Sequence, residues 1–233
     1  MFDFHCHFFN NEKVDYFVLN TGLDIETNRK VLNSEYYKAL GIHPTQVLNI
    51  REDNVENELY FIEELLKKKK INAIGEVGLD YKFSKDPKII NWQKELFERF
   101  LELSEIYKVP IVIHSREAEE DIKNILETYY DLKIVLHSFN YSRLDLVEDL
   151  IDMNCYFTIS FSYSKKLKFF IEKIPLNQIL IESDYPFKSH GKTLEIAKKF
   201  LFSTIELISE IKNLNFEEVE KIIDKNSFEL LEK

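Results

Sequence analysis

The strongest constraint on the fold of this chain is a regular alternation of short apolar segments with longer segments of helical period. Apolar runs such as residues 109–113 and 133–136 are typical of strands that are covered on both faces. We predict helices near residues 25–34, 55–69, 90–107, 117–129, 143–153, 164–173, 193–210 and 216–232. The same pattern predicts eight strands, at residues 2–6, 14–19, 36–42, 71–76, 109–114, 132–137, 155–160 and 179–184.

Eight strand–helix units in 233 residues predict an α/β protein, a single (β/α)8 barrel of the TIM type that spans residues 1–233. No linker rich in Gly, Pro or Ser and no internal repeat divides the sequence, so we expect one domain. A doubly wound open sheet is the alternative. The two architectures differ in where strand-end residues meet, because a barrel gathers all its carboxyl ends round one mouth.

The acidic charge balance excludes one class of function. A formal net charge of −10 argues against broad, non-specific attraction to nucleic acid or to an anionic membrane. It does not exclude a phosphate substrate, since bound divalent cations can make a cleft locally positive. No run approaches the roughly 18 apolar residues of a membrane span. No signal peptide is recognisable, and we expect a cytoplasmic protein without an obligatory protein partner.

Histidines and carboxylates concentrate at the carboxyl ends of the predicted strands. His5 and His7 are two positions apart on the first strand, so their side chains face the same way. The sixth histidine, His190, falls in a loop. Imidazoles and carboxylates are ligands of divalent metals, and an unpaired polar set converging on one barrel mouth would otherwise be costly. Seven such residues lie on one face of the predicted barrel, namely His5, His7, His43, Glu76, His114, His137 and Asp184, and we therefore predict a divalent-metal site there.

These histidines and carboxylates belong to short motifs that follow one another along the chain. They are Asp3-Phe4-His5-Cys6-His7, Gly41-Ile42-His43-Pro44, Gly75-Glu76-Val77-Gly78-Leu79-Asp80-Tyr81, His114-Ser115-Arg116-Glu117-Ala118, His137-Ser138-Phe139 and Glu182-Ser183-Asp184-Tyr185-Pro186. Together they resemble the TatD family of metal-dependent deoxyribonucleases, within the amidohydrolase-like barrels. The resemblance covers nearly the whole chain. Its departure is the loop after Pro186, which lacks the basic, proline-rich run common in the family and carries Lys188, Ser189 and His190.

The resemblance implies a set of ligands and two divalent ions, Zn²⁺, Mn²⁺ or Mg²⁺. His5, His7 and Asp184 would bind one ion, His114 and His137 the other, and Glu76 would bridge both. Two such ions suit phosphodiester hydrolysis, because they hold an attacking hydroxide and stabilise the charge that develops at phosphorus. Glu76 and Asp184 are the expected catalytic residues, with Asp184 also suited to act as a general base.

Four further residues are candidates for supporting roles. Asp3 and Glu182 precede proposed ligands by two residues and could hydrogen-bond the free nitrogen of a ligating histidine, or form an ordinary buried network. His43 and Arg116 could bind a substrate phosphate, Arg116 in bidentate fashion, or make purely structural contacts. Aromatic residues after the strand ends could stack bases or pack loops; they are Phe8, Phe9, Tyr81, Phe83, Phe139, Tyr141, Tyr185 and Phe187.

The expected activity is a 3′ to 5′ exonuclease on single-stranded or frayed DNA, because a closed barrel mouth accepts a strand end more readily than the middle of a duplex. Two alternatives stay open. The same ligands could serve another hydrolase that cleaves an amide, a lactone or a phosphate ester, since a metal-activated water attacks carbon or phosphorus alike. A non-catalytic barrel that binds a partner protein is the other alternative.

Overall fold

Eight parallel strands form one sheet in which each strand pairs with the next along the chain. The computed structural model describes residues 1–162, 164–187 and 193–232. The strands are β1 (Phe2–Cys6), β2 (Phe17–Thr21), β3 (Tyr37–Leu40), β4 (Ala73–Asp80), β5 (Ile111–Arg116), β6 (Ile134–His137), β7 (Tyr156–Ile159) and β8 (Ile179–Ile181).

Backbone hydrogen bonds beyond the end of β8 close the sheet into a barrel. The Asp184 amide donates to the His5 carbonyl at 3.0 Å, and the His7 amide donates to the Tyr185 carbonyl at 2.8 Å. The predicted (β/α)8 barrel is thereby confirmed, and an open sheet is excluded. The closure also brings the first and last motifs of the sequence into direct contact.

Helices alternate with the strands and cover the outside of the barrel. They are α1 (Ile25–Leu32), α2 (Glu52–Lys67), α3 (Pro87–Tyr107), α4 (Glu119–Leu126), α5 (Leu144–Asp152), α6 (Lys165–Lys173), α7 (Leu194–Lys212) and α8 (Phe216–Leu231), with short 3₁₀ segments at Pro44–Leu48 and Leu176–Gln178. The Asp86 side chain caps the start of α3, and Asn215 forms a capping box with Glu218 at the start of α8. Among the described helices, none is long and apolar enough to cross a membrane.

Two apolar layers hold the barrel together. The larger one lies between the strands and the surrounding helices. A second cluster gathers one buried residue from most strands with the end of α8; its members are Phe2, Phe4, Leu19, Ala39, Ala73, Val112, Val135, Leu180, Leu230 and Leu231. Alternation along a strand then directs the residue two positions further on to the same side, which places His114 above Val112 and His137 above Val135.

The strands differ from the predicted ones at their ends. β4 continues past residue 76 to Asp80, because Val77–Asp80 pair with the end of β5, so Glu76 lies inside a strand rather than at its end. The pairing of β4 with β5 is irregular between Ile74 and Val77, and that of β1 with β2 between Asp3 and Cys6. Such irregularities re-aim side chains beside functional sites, and these two flank Glu76 and His5.

Candidate metal centre

The seven predicted site residues meet at the mouth of the barrel, round the carboxylate of Glu76. Oε2 of Glu76 lies 3.4 Å from Nε2 of His5 and 3.6 Å from Nε2 of His7. Oε1 lies 2.8 Å from Nδ1 of His114 and 3.7 Å from Nε2 of His137. The carboxylate thus presents one oxygen to each of two groups of imidazoles.

Asp184 joins the group on the Oε2 side of Glu76. Its Oδ1 lies 3.6 Å from Nε2 of His7 and 3.9 Å from Nε2 of His5, and those two ring nitrogens are 3.1 Å apart. Asp184 follows β8 by three residues, and His7 follows β1 by one. The barrel closure described above therefore brings His5, His7 and Asp184 together from opposite ends of the chain.

The chemistry of this cluster fits divalent cations. Potential ligand atoms lie within 4.8 Å of one another in three groups, namely His5 with His7 and Asp184, His5 with Glu76 and His137, and His43 with Glu76 and His114. Imidazole nitrogen and carboxylate oxygen are the donors that Zn²⁺ and Mn²⁺ accept. A cation would also relieve the close approach of the His5 and His7 nitrogens, which is a favourable contact only when one of the two carries a proton and the other does not.

Most of the histidines hold a second partner on the ring nitrogen that faces away from the cluster. Nδ1 of His7 lies 2.8 Å from the carbonyl oxygen of Thr21, and Nδ1 of His43 lies 2.7 Å from Oγ1 of Thr45. Such contacts fix the ring orientation and the tautomer of a metal ligand. His5 is the exception, because its buried Nδ1 has no hydrogen-bond partner.

The two deeper carboxylates make different contacts. Oε2 of Glu182 lies 2.5 Å from Nδ1 of His137, the contact to a histidine ring that the sequence suggested. Asp3 accepts hydrogen bonds from the amide and the hydroxyl of Ser183, at 2.9 and 2.6 Å, and from the His5 amide at 3.4 Å. Asp3 therefore ties β1 to the segment after β8, and burial raises its pKa to about 7 against the opposing effect of these hydrogen bonds.

His43 and Arg116 occupy different depths of the mouth. Nε2 of His43 lies 3.4 Å from Oε1 of Glu76, inside the cluster. The Arg116 side chain is 54% exposed, and its Nη1 lies 4.0 Å from Oδ2 of Asp80. Both line a cavity of about 410 Å³ that opens over Glu76 and is also lined by Phe187. Arg116 is thus free to reach a ligand in this cavity, whereas His43 is already packed against the carboxylate.

Opposing effects set the charge state of the cluster. Burial alone would raise the pKa of Glu76, but the positive charges of His43 and His137 and hydrogen bonds from His114 and His43 hold it well below its usual range. Burial lowers the pKa of His43, and Glu76 only partly opposes this. Burial would also lower the pKa of His114, but hydrogen bonds to Asp80 and Glu76 raise it to about 9. Glu76 is therefore ionised at neutral pH, as a metal ligand must be.

One residue of the site was missed by the sequence analysis. Asp80 is 1% exposed, and its Oδ2 lies 3.2 Å from Nε2 of His114. The signal that could have found it is its spacing of four residues from Glu76, because residues an even number apart on a strand share a face. Asp80 was hidden because the strand was expected to end at residue 76.

The aromatic residues near the mouth divide into buried and exposed ones. Phe8 and Phe139 are buried, which identifies them as packing residues. Phe83 and Phe187 are 41% and 63% exposed, and the Phe187 ring lies 5.1 Å from the His7 ring, between centroids. The predicted loop residues Lys188, Ser189 and His190 lie outside the described residues.

Comparisons with known proteins identify the family of this chain. The family model of TatD-related DNases matches residues 2–232. YabD of Bacillus subtilis (strain 168), an uncharacterized metal-dependent hydrolase, is 34% identical over 231 residues, which are 93% of this chain and 87% of that protein. The human 3′-5′ RNA nuclease TATDN2 is 34% identical over 157 residues, which are 64% of this chain and 20% of that protein.

The fold has a solved counterpart. The crystal structure of YJJV, a TatD homolog from Escherichia coli K12, covers 100% of this chain and 98% of its own, with a TM-score of 0.81 at 22% identity. That structural likeness supports the barrel fold, whereas the family is established by the sequence matches. The chain therefore belongs to the TatD family and is a metal-dependent hydrolase.

Proposed function

We propose that this hydrolase cleaves phosphodiester bonds with two divalent cations, as a 3′ to 5′ exodeoxyribonuclease on single-stranded or frayed DNA. The observation that carries the proposal is the position of Glu76, with Oε2 3.4 Å from His5 and Oε1 2.8 Å from His114. A carboxylate with one oxygen toward each of two imidazole groups is suited to bridge two cations. The description of the family as DNases and the activity named for the human relative support the choice of a nucleic acid.

The proposed ligands follow the two sides of that carboxylate. His5, His7 and Asp184 would hold one cation with Oε2 of Glu76, and His114 and His137 would hold the other with Oε1. Two bound cations would lower the pKa of a water and stabilise the negative charge that develops at phosphorus. The identity of the metal is left to experiment, since these donors accept Zn²⁺, Mn²⁺ and Mg²⁺.

Three residues of the chain would act on the substrate and the water. Asp184 Oδ1, at the edge of the cluster, is placed to accept a proton from the attacking water as a general base. Arg116 reaches the cavity with a largely exposed guanidinium and would hold a phosphate oxygen through charge-assisted hydrogen bonds. His43, which lies deeper in the cavity, would bind the same phosphate group.

The shape of the mouth supports a single strand as substrate. The cavity of about 410 Å³ has the size of a small-molecule site, so it would admit a strand end rather than an intact duplex. Phe187 lines this cavity with an exposed ring, and stacking on such a ring is tolerant of base identity. Both features favour removal of nucleotides one at a time.

The test is degradation of end-labelled DNA. Chelator-treated protein is incubated with single-stranded DNA, blunt duplex DNA and RNA, each with Mg²⁺, Mn²⁺ or Zn²⁺. Stepwise shortening from the 3′ end is the expected result. Glu76→Gln and Asp184→Asn should each lower the rate by more than about 100-fold, because loss of a ligand exceeds the 10–100-fold cost of losing a ligand's outer partner.

Glu102→Gln is the matched control, since it makes the same carboxylate-to-amide change at an exposed position of α3. Wild-type turnover in both Glu76→Gln and Asp184→Asn, with the fold intact, would contradict the proposal. Cleavage of RNA alone would move the substrate class from DNA to RNA. Binding of two cations without cleavage of any nucleic acid would favour a small-molecule hydrolase or a partner-binding subunit.

A further inference from the structure

Asp80 occupies a buried position behind one of the proposed ligands. It is the last residue of β4, and its backbone pairs with Arg116 of β5 while Gly78 pairs with His114. Asp80 and His114 are therefore diagonal neighbours across the two strands, within reach of each other's side chains. A buried carboxylate is costly without hydrogen-bond partners, so its contacts identify its role.

His114 lies between two carboxylates. Its Nδ1 is 2.8 Å from Oε1 of Glu76, and its Nε2 is 3.2 Å from Oδ2 of Asp80. A neutral imidazole carries one N–H, and only the other nitrogen can donate its lone pair to a cation. A cation bound between Nδ1 and Glu76 would displace the proton from Nδ1, and the hydrogen bond that Asp80 accepts from Nε2–H would keep the remaining proton on Nε2. Asp80 is in the position that selects this tautomer.

The Asp80 carboxylate is itself held in place by the backbone. Its Oδ1 accepts a hydrogen bond from the Phe83 amide at 2.8 Å, and its own amide donates to Oε1 of Gln93 at 3.0 Å. The buried Gln93 side chain also donates to the carbonyl oxygen of Pro44 at 3.1 Å, next to His43. One oxygen of Asp80 is thus committed to the backbone, and the other faces His114.

We propose that Asp80 is a positioning residue of the metal centre: its Oδ2 holds His114 in the tautomer that leaves Nδ1 available to the cation shared with Glu76. The inference rests on the proposed function, since it presumes the two-cation site. It adds a residue that acts on the reaction through His114, although Asp80 also lines the cavity over Glu76. Arg116, whose Nη1 is 4.0 Å from Oδ2 of Asp80, offers the competing route by which Asp80 could influence activity.

Two substitutions of Asp80 separate tautomer selection from simple packing. The Phe83 amide requires an oxygen at the Oδ1 position, so the amide of Asp80→Asn would turn its NH₂ group toward Nε2 of His114. A donor there favours the opposite tautomer, with the proton on Nδ1, which blocks cation binding. Asp80→Ala removes the acceptor without supplying a donor, so both tautomers stay accessible. Asp80→Asn should therefore be the more damaging change, although it preserves the size of the side chain.

The experiment is a titration of chelator-treated protein with Mn²⁺, followed by electron paramagnetic resonance of the free ion. Wild-type protein should bind two ions, and Asp80→Asn should weaken one of them by about 10–100-fold while the other is retained. Asp80→Ala should weaken the same ion by less. Glu117→Gln is the control, because it removes one negative charge from an exposed carboxylate that pairs with Lys85. Its Mn²⁺ affinities should equal those of the wild type.

Repeating the Asp80→Asn titration in an Arg116→Gln background shows whether Asp80 affects cation binding through His114 or through Arg116. The full loss should persist there, because the proposed effect passes through His114; a loss that disappears would assign the effect to Arg116 and overturn the inference. Wild-type affinities in Asp80→Asn, or a greater loss in Asp80→Ala, would also overturn it while leaving the proposed function intact. A wild-type protein that binds no Mn²⁺, Mg²⁺ or Zn²⁺ would overturn both.

Discussion

His137 and Glu182 share a hydrogen bond of 2.5 Å between ring Nδ1 and carboxylate Oε2, with Glu182 fully buried beneath the barrel mouth. The same Oε2 accepts from Oγ1 of Thr158 at 2.5 Å, and Oγ1 of Thr158 accepts from the Ser138 amide at 3.1 Å. The carboxylate therefore connects a proposed ligand on β6 to β7. Its negative charge makes the ring a stronger donor to a cation.

Glu182→Gln should reduce the affinity of the site for a divalent cation by about 10–100-fold, because a neutral amide polarises the ring less. Activity measured against Mn²⁺ concentration should show a shifted midpoint, with the rate largely restored at saturating Mn²⁺. Thr158→Val is the companion variant, since it removes the second donor to Oε2 and keeps the charge. A midpoint shift in Thr158→Val as large as that in Glu182→Gln would contradict a role for the charge.

The barrel and the metal-ligand candidates could be predicted from the sequence because they depend on periodic signals. Strand ends are marked by apolar runs, and His114 and His137 follow those runs directly. Glu76 was also found, although it lies inside β4 rather than at its end. The predicted strand end at residue 76 was wrong, but Glu76 was identified both by that predicted end and by its motif.

Contacts between strands could not be predicted in the same way. Asp80 reaches His114 because β4 continues beyond Glu76 in register with β5, and that register depends on packing across the sheet. For Asp3 the sequence left open a contact to a histidine ring or an ordinary buried network, and the structure shows the network, in which Asp3 pairs with Ser183 across the barrel closure. Both contacts join residues that are distant in sequence, so no local period indicates them.

Gly78 is required by the close approach of β4 to β5 beside the proposed ligand His114. Its φ is +132°, a conformation that residues with a side chain rarely adopt, and an added Cβ would lie 2.2 Å from the His114 carbonyl oxygen. Gly78→Ala should therefore lower the free energy of unfolding by about 1–3 kcal/mol from backbone strain alone and move His114. Urea unfolding and Mn²⁺ affinity measure the two effects. If Gly78→Ala keeps the wild-type free energy of unfolding and the wild-type Mn²⁺ affinity, β4 and β5 can move apart at this point without loss of stability, and the prediction is wrong.

Phe170 of α6 should contribute strongly to the stability of the barrel wall. It is fully buried, and the rings of Phe139, Tyr141 and Phe157 lie within 5.0–5.6 Å of it, between centroids. Phe170→Ala should cost about 3–5 kcal/mol in the free energy of unfolding, measured with urea, because it leaves a cavity. Phe169→Ala changes the neighbouring residue, which is 57% exposed, and should cost less than about 0.5 kcal/mol. Equal costs would contradict the burial of Phe170.

Phe187 should bind the substrate through its ring rather than take part in the chemistry. The side chain is 63% exposed at the rim of the cavity, beside the His7 ring. A base stacked on such a ring gains about 1–3 kcal/mol, so Phe187→Ala should weaken binding of single-stranded DNA by roughly 5- to 150-fold. Phe187→Tyr keeps the aromatic face and should bind as the wild type does.

A small phosphodiester separates stacking from disturbance of His7. Hydrolysis of bis(p-nitrophenyl) phosphate would require the metal centre, but this small molecule is too short to reach from the metal centre to the rim. Phe187→Ala should therefore hydrolyse it at close to the wild-type rate when Mn²⁺ is saturating. If that rate falls as far as the rate on single-stranded DNA, the ring acts by packing against His7. If neither rate changes, the exposed ring is not part of the substrate path, and the strand must leave the cavity on another side.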